Sequence, residues 1–224
     1  MIKNPRRDEK NHGNSLYGRK LKLKIMERTE LVKDYLQDYT SRLTDILNKV
    51  DPERLGQVVT AFIDAFKSGN TIYVTGNGGS AATASHMQAD FRFFVRYFSK
   101  FRPKIIALTD NVPMITAIGN DNNFDDVFVE QMRGQFVSGD VLIAISASGN
   151  SPNLVKATEY ANELGGTSIA WVGFQGGKLN EIAKIPLYTP NPKGDYGPIE
   201  DVHMILNHII VNYLAKDEEF LALT

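Results

Sequence analysis

Five short apolar runs, at residues 72–75, 105–108, 141–145, 168–172 and 185–187, alternate along the chain with helix-patterned segments at 80–98, 123–136, 152–164, 176–183 and 198–214. The runs are continuous rather than alternately polar and apolar, the pattern of strands covered on both faces. Strands that alternate with helices form a parallel sheet, because each right-handed crossover lays its helix on a face and brings the next strand back in the same direction. The expected fold is an open, three-layer α/β/α sandwich. Its ligand site is expected where loops leave the carboxyl ends of the strands.

Ahead of the first run, Leu31, Tyr35, Leu36, Tyr39, Leu43, Ile46 and Leu47 recur at helical spacing from near Glu27. Asp51-Pro52 ends that helix and caps a second, carrying Leu55, Val58, Val59, Ala61, Phe62 and Phe66 and stopping at Gly69. Residues 26–70 are therefore expected to form an N-terminal helical arm, for packing or a subunit interface, beside an α/β unit spanning 71–216. Residues 1–25 are polar, basic and aperiodic, and read as a poorly ordered tail.

The 224 residues include no cysteine, which excludes disulfides, thiolate metal ligands and a Cys nucleophile. A net charge of -1 argues against a nucleic-acid partner, which would call for a basic excess. No apolar run approaches the ~20 residues of a membrane span, and no apolar stretch follows the basic residues at the start. The expected location is cytoplasmic.

The loop after the first strand, Gly76-Asn77-Gly78-Gly79-Ser80, leads straight into a helix. Glycines such as Gly78 and Gly79 let backbone amides turn inward, and a helix N-terminus adds unpaired N–H groups and a favourable dipole for an anion. Ser80 is placed as N-cap or as a hydroxyl donor to a phosphate. The loop after the third strand, Ser146-Ala147-Ser148-Gly149-Asn150-Ser151, is followed by Pro152 at the first helical turn and repeats the chemistry. Hydroxyls and amides without lysines suit a small phosphate rather than a nucleic-acid backbone. Gly76, Gly78 and Ala81 also fit a G-x-G-x-x-A dinucleotide fingerprint. The acidic residue due about 20 positions later comes late, as Asp110, and a dinucleotide leaves the second serine loop unexplained.

His86 and Asp90 lie four residues apart on the helix after the glycine loop and share a face. Glu200 and His208 are about two turns apart on the last long helix, facing roughly the same way. Glu200 and Asp201 equally suit a helix N-terminus by charge alone, and His203 carries no further signal.

Four stretches make the sequence resemble the SIS (sugar isomerase) domain family, in its phosphoheptose isomerase branch: GNGGSAATASH (76–86), AIGNDNNFDD (117–126), GDVLIAISASGNSPNLVKA (139–157) and IEDVHMILNHIIVNYL (199–214). The resemblance runs over about residues 30–215. It implies a five-stranded parallel sheet and a homotetramer with active sites built between subunits. It also implies interconversion of a ketose phosphate and an aldose phosphate, sedoheptulose 7-phosphate to D-glycero-D-manno-heptose 7-phosphate. Carried over residue by residue, it implies that Ser80, Ser146, Ser148 and Ser151 hold the phosphate and that Asn77 and Asp121 contact sugar hydroxyls. Asp90 and His208 stand where the family has its catalytic glutamate and histidine. A zinc (Zn2+) site of His86, Asp90, Glu200 and His208 is implied as well, all competent ligands.

Three positions depart from that pattern. Asp90 is one methylene shorter than glutamate, and Glu200 stands for a glutamine, adding negative charge that strengthens metal binding. An arginine four residues beyond the catalytic acid is Phe94 here, with Arg92 and Arg96 as candidate substitutes. The implied chemistry is proton transfer between adjacent carbons through a cis-enediolate, shared by Asp90 and His208, with a divalent metal polarising the carbonyl. Two non-catalytic readings compete: an SIS-domain adaptor that binds the replication initiator, and a phosphosugar sensor. In the adaptor branch the acid and the final histidine are replaced by residues unsuited to the chemistry; Asp90 and His208 keep it.

Overall fold

The computed structural model describes residues 16–223. The part of the expected tail before residue 16 lies outside the described residues, and from there the chain is already helical: α1 spans Leu16–Leu47. Its first turns are rich in Leu, Lys, Arg and Glu, strong helix formers that give no apolar periodicity, so the pattern alone placed the start too late, near Glu27. The chain divides into two compact units, Met1–Arg42 and Leu43–Thr224. The sheet, the core and the candidate site all lie in the second.

Asp51 caps α2 (Pro52–Lys67) as its sequence position predicts, its carboxylate accepting from the amides of Glu53 at 2.8 Å and Arg54 at 3.4 Å. There follow β1 (Ile72–Gly76), α3 (Gly79–Phe93), β2 (Ile105–Ala107), α4 (Val112–Asp121), α5 (Val129–Met132), β3 (Val141–Ser146) and α6 (Pro152–Glu163). The chain closes with β4 (Thr167–Val172), α7 (Gly177–Ile182), β5 (Ile185–Tyr188), α8 (Tyr196–Leu214) and α9 (Glu218–Leu221). All five strands pair in parallel, in the order β2-β1-β3-β4-β5. Every residue of β1 and β3 is buried, as continuous apolar runs demand. Successive side chains serve opposite faces. Ile72, Val74, Ile143 and Ile145 join Phe62, Phe66, Phe91 and Leu206 in one core layer, while Tyr73, Leu142 and Ala144 join Leu154, Ala157 and Leu179 in the other.

The single helix expected at 123–136 is broken. Phe124–Asp126 forms one 3-10 turn, and α5 holds only 4 residues. The regular helix lies earlier, as α4, started by Asn111, whose side chain accepts from the amide of Met114 at 3.2 Å, and by Pro113 in the first turn. No residue of α4 is fully buried, and only Ile115 and Ile118 pack partly against the core, too short a stripe to announce the helix. Among the described residues no helix is long and apolar enough to cross a membrane.

The strand order reverses at β1, which has β2 on one side and β3 on the other. The loops after β1 and β3 therefore flank the crevice at the topological switch point, where open α/β sheets bind ligands.

Candidate active site

Gly76, the last residue of β1, pairs with Ile145 of β3, so the two serine loops leave the sheet side by side. A reciprocal amide pair ties them together: Asn77 and Asn153 each donate Nδ2 to the other's Oδ1 at 2.9 Å. Asn153 is buried in the first turn of α6 and was not singled out by the sequence.

The cap of α3 is Gly78, not Ser80. Gly78 adopts φ 54, a left-handed conformation that starts the helix early, and it offers no side-chain cap. Ser80 thus lies inside the first turn, buried, and its hydroxyl does not cap the helix. In the second loop Ser146 Oγ accepts from the amide of Gly149 at 3.0 Å and Ser148 Oγ from that of Asn150 at 3.3 Å. Ser151 caps α6 without using its hydroxyl. The loop leans on the start of α7, where the amides of Leu179 and Lys178 donate to the Gly149 carbonyl at 2.9 Å and the Asn150 side chain at 3.0 Å.

Helices α3 and α8 lie side by side and run in the same direction. The Glu200 carboxylate lies so close to Gly79 that an added Cβ would collide with it, and farther along His208 meets His86. The Nε2 atoms of His86 and His208 are 3.0 Å apart, and Asp90 Oδ2 lies 3.3 Å from the first and 3.8 Å from the second. Asn207, fully buried, donates Nδ2 to the same Oδ2 at 2.7 Å. The two histidine side chains are about half exposed (44% and 49%), so the cluster opens to solvent on one side.

Three of the four expected metal ligands thus converge. One donor atom each from His86, Asp90 and His208 lies within 4.8 Å of the others, while Glu200 stands apart from that group at the N-terminus of α3. Burial, and then the neighbouring charge of Asp201, push the Glu200 carboxyl above its usual range. Two imidazole nitrogens and a carboxylate oxygen in convergence are a donor set that fits zinc with a fourth position open.

Asp121 ends α4, exposed, its carboxylate accepting from Asn120 at 2.8 Å. The arginine substitutes are engaged elsewhere. Arg96 stacks on Phe93, its guanidinium carbon 3.6 Å from the ring centroid, and Arg92 lines a cavity with Thr71, Arg102 and Lys104 near the starting ends of β1 and β2.

His203, one turn before Asn207, is buried against Trp171, and among the described residues neither ring nitrogen has a hydrogen-bond partner. Burial pushes it down from 6.5 to about 3. Below its unfolded value the unfolded chain takes up a proton that the folded chain refuses, so stability is intact above pH 6.5 and falls as pH drops toward about 3. Melting temperatures measured downward from neutral pH are expected to decline, and the decline to flatten in His203→Leu. An unchanged acid limb in that variant would assign the effect to other groups.

Among known proteins, the SIS domain family matches residues 34–173. The phosphoheptose isomerase of Citrifermentans bemidjiense is 36% identical over 186 residues, covering 83% of this chain and 95% of that protein. Phosphoheptose isomerase 2 of Campylobacter jejuni is 40% identical over 160 residues, covering 69% and 76%. The structure of the phosphoheptose isomerase of Neisseria gonorrhoeae superposes with a TM-score of 0.75 at 31% identity, covering 84% of this chain and 99% of that one.

Proposed function

The chain belongs to the phosphoheptose isomerase family of SIS-domain proteins, and we propose that it converts sedoheptulose 7-phosphate to D-glycero-D-manno-heptose 7-phosphate at the crevice between its serine loops and the α3–α8 pair. The observation that carries this reading is the convergence of Asp90, His86 and His208, an acid and two imidazoles poised for proton transfer. Relatives at this level of identity bear the enzyme's name, which sets the adaptor and sensor readings aside.

Ser80, Ser146, Ser148 and Ser151, with the amides of Gly78 and Gly79, hold the phosphate, and Asn77 and Asp121 face sugar hydroxyls. Asp90 removes a proton from carbon 1 of the ketose. The electron pair forms the C1–C2 double bond as O2 becomes an oxyanion. His208 moves the hydroxyl proton from O1 to O2, and Asp90 returns its proton to carbon 2, leaving the aldehyde at carbon 1. Zinc held by His86, Asp90 and His208 supplies Lewis-acid stabilisation of the enediolate oxygens when bound. Glu200 joins the donor set only by leaving Gly79. The same His208 nitrogen faces both tasks, so turnover with and without added zinc distinguishes them.

An enediolate needs protection from water, and the half-exposed histidines leave the cluster open in one chain. A homotetramer in which a second copy closes each site meets that need, with the enzyme working in the cytoplasm. Purified full chain incubated with sedoheptulose 7-phosphate is expected to accumulate the aldose phosphate, followed by NMR. Tight binding of the sugar phosphate without conversion would overturn the reading.

A further inference from the structure

The structure assigns Asn207 as the positioning residue that holds the Asp90 carboxylate on the histidine pair. Asp90 is joined to its helix by a short side chain, and its Oδ2 meets three groups: Asn207 Nδ2 at 2.7 Å, His86 Nε2 at 3.3 Å and His208 Nε2 at 3.8 Å. Asn207 makes the shortest of these contacts. Among the described residues Oδ1 makes no hydrogen bond, so pinning Oδ2 leaves one carboxylate oxygen for the substrate.

The burial of Asn207 argues in the same direction. It occupies the apolar stripe of α8 that buries Ile199, Val202, Leu206 and Ile210, where an aliphatic side chain would be at home. Its own Oδ1 is buried without a partner among the described residues, an uncompensated desolvation that packing alone does not explain. What the amide supplies, and leucine cannot, is the donor to Asp90. Because Asn207 immediately precedes His208, one helix turn fixes both sides of the site, the histidine directly and the carboxylate through the amide.

This inference rests on the isomerase reading, and its test separates the two. The full-length wild type, Asn207→Leu, Asp90→Asn and the double variant are compared in kcat and KM on sedoheptulose 7-phosphate, and in zinc affinity by competition with a chelating dye. Asn207→Leu is expected to lower kcat by about 10- to 100-fold with KM within about twofold, and to weaken zinc by at least about tenfold. In the Asp90→Asn background the same substitution should change zinc affinity by less than about twofold, because the carboxylate it positions is already gone. Melting temperature, read alongside, should hold, since an apolar side chain replaces an amide whose Oδ1 is unsatisfied; Asn207→Ala serves if the leucine variant misfolds. An unchanged kcat and zinc affinity, or equal zinc losses in both backgrounds, would overturn the role. A wild type that turns nothing over would defeat the isomerase reading, with the zinc comparison still judging Asn207.

Discussion

Asp90→Asn is expected to lower kcat for isomerisation by about a thousandfold while leaving the fold and phosphosugar binding in place. The substitution keeps the shape of the side chain and an oxygen able to accept from Asn207 at the position now 2.7 Å away. What it removes is the proposed base at carbon 1. The proposed phosphate cradle lies at the N-terminal end of α3, well before Asp90, and in the loop after β3, joined by Asn77 and Asn153, and has no part in that loss. Calorimetry should therefore show sugar-phosphate affinity within about threefold of wild type, and melting temperature should move little. A variant retaining more than about a tenth of wild-type kcat would mean that another group abstracts the proton.

Gly149→Ala is expected to be the most damaging single methyl addition in the second unit. Gly149 sits at φ +66, where L residues are strained, and an added Cβ would overlap the carbonyl oxygen of Gly176, part of the backbone of the adjoining loop. A flexible side chain could yield; two backbones cannot without parting. On the other side of the contact Gly177, at φ +60, would send a Cβ into the Ser148 carbonyl, so the two loops lie glycine against glycine. Parting them breaks the bonds from the Leu179 amide to the Gly149 carbonyl and from the Gly149 amide to Ser146 Oγ, and splays the serines. A loss of more than about 3 kcal/mol in chemical unfolding is expected, with sugar-phosphate affinity falling at least about tenfold in whatever folded protein remains. Wild-type stability and affinity in this variant would show that the loops have room the structure does not contain.

The sheet was legible because it is buried on both faces: β1 and β3 show in the sequence as unbroken apolar runs, and their end residues carry the two loops to the switch point. Elements without burial were not legible. Helix α4 has no fully buried residue, only Ile115 and Ile118 packing partly on the core, so its Asn111 and Pro113 start signal was the main clue, and the early turns of α1 rest on propensity rather than on a stripe. In the site, the i,i+4 spacing of His86 and Asp90 is a local fact of a helix, and the sequence places them together correctly. The meeting of α3 with α8 is tertiary. Spacing along α8 could not separate Glu200, held against Gly79, from His208, which joins the cluster. Asn207 was missed for the same reason, although an amide inside an otherwise apolar helical face was a signal to follow.

The most direct test of the central claim is the isomerisation of sedoheptulose 7-phosphate run in deuterium oxide, with the product read by proton NMR. A proton carried from carbon 1 to carbon 2 on the Asp90 carboxylate exchanges in part with solvent, so the account predicts aldose phosphate bearing deuterium at carbon 2, formed by wild type and not by Asp90→Asn. Sugar phosphate bound but returned unchanged, with no deuterium at either carbon, would contradict it and leave the chain a binding protein on an enzyme's fold.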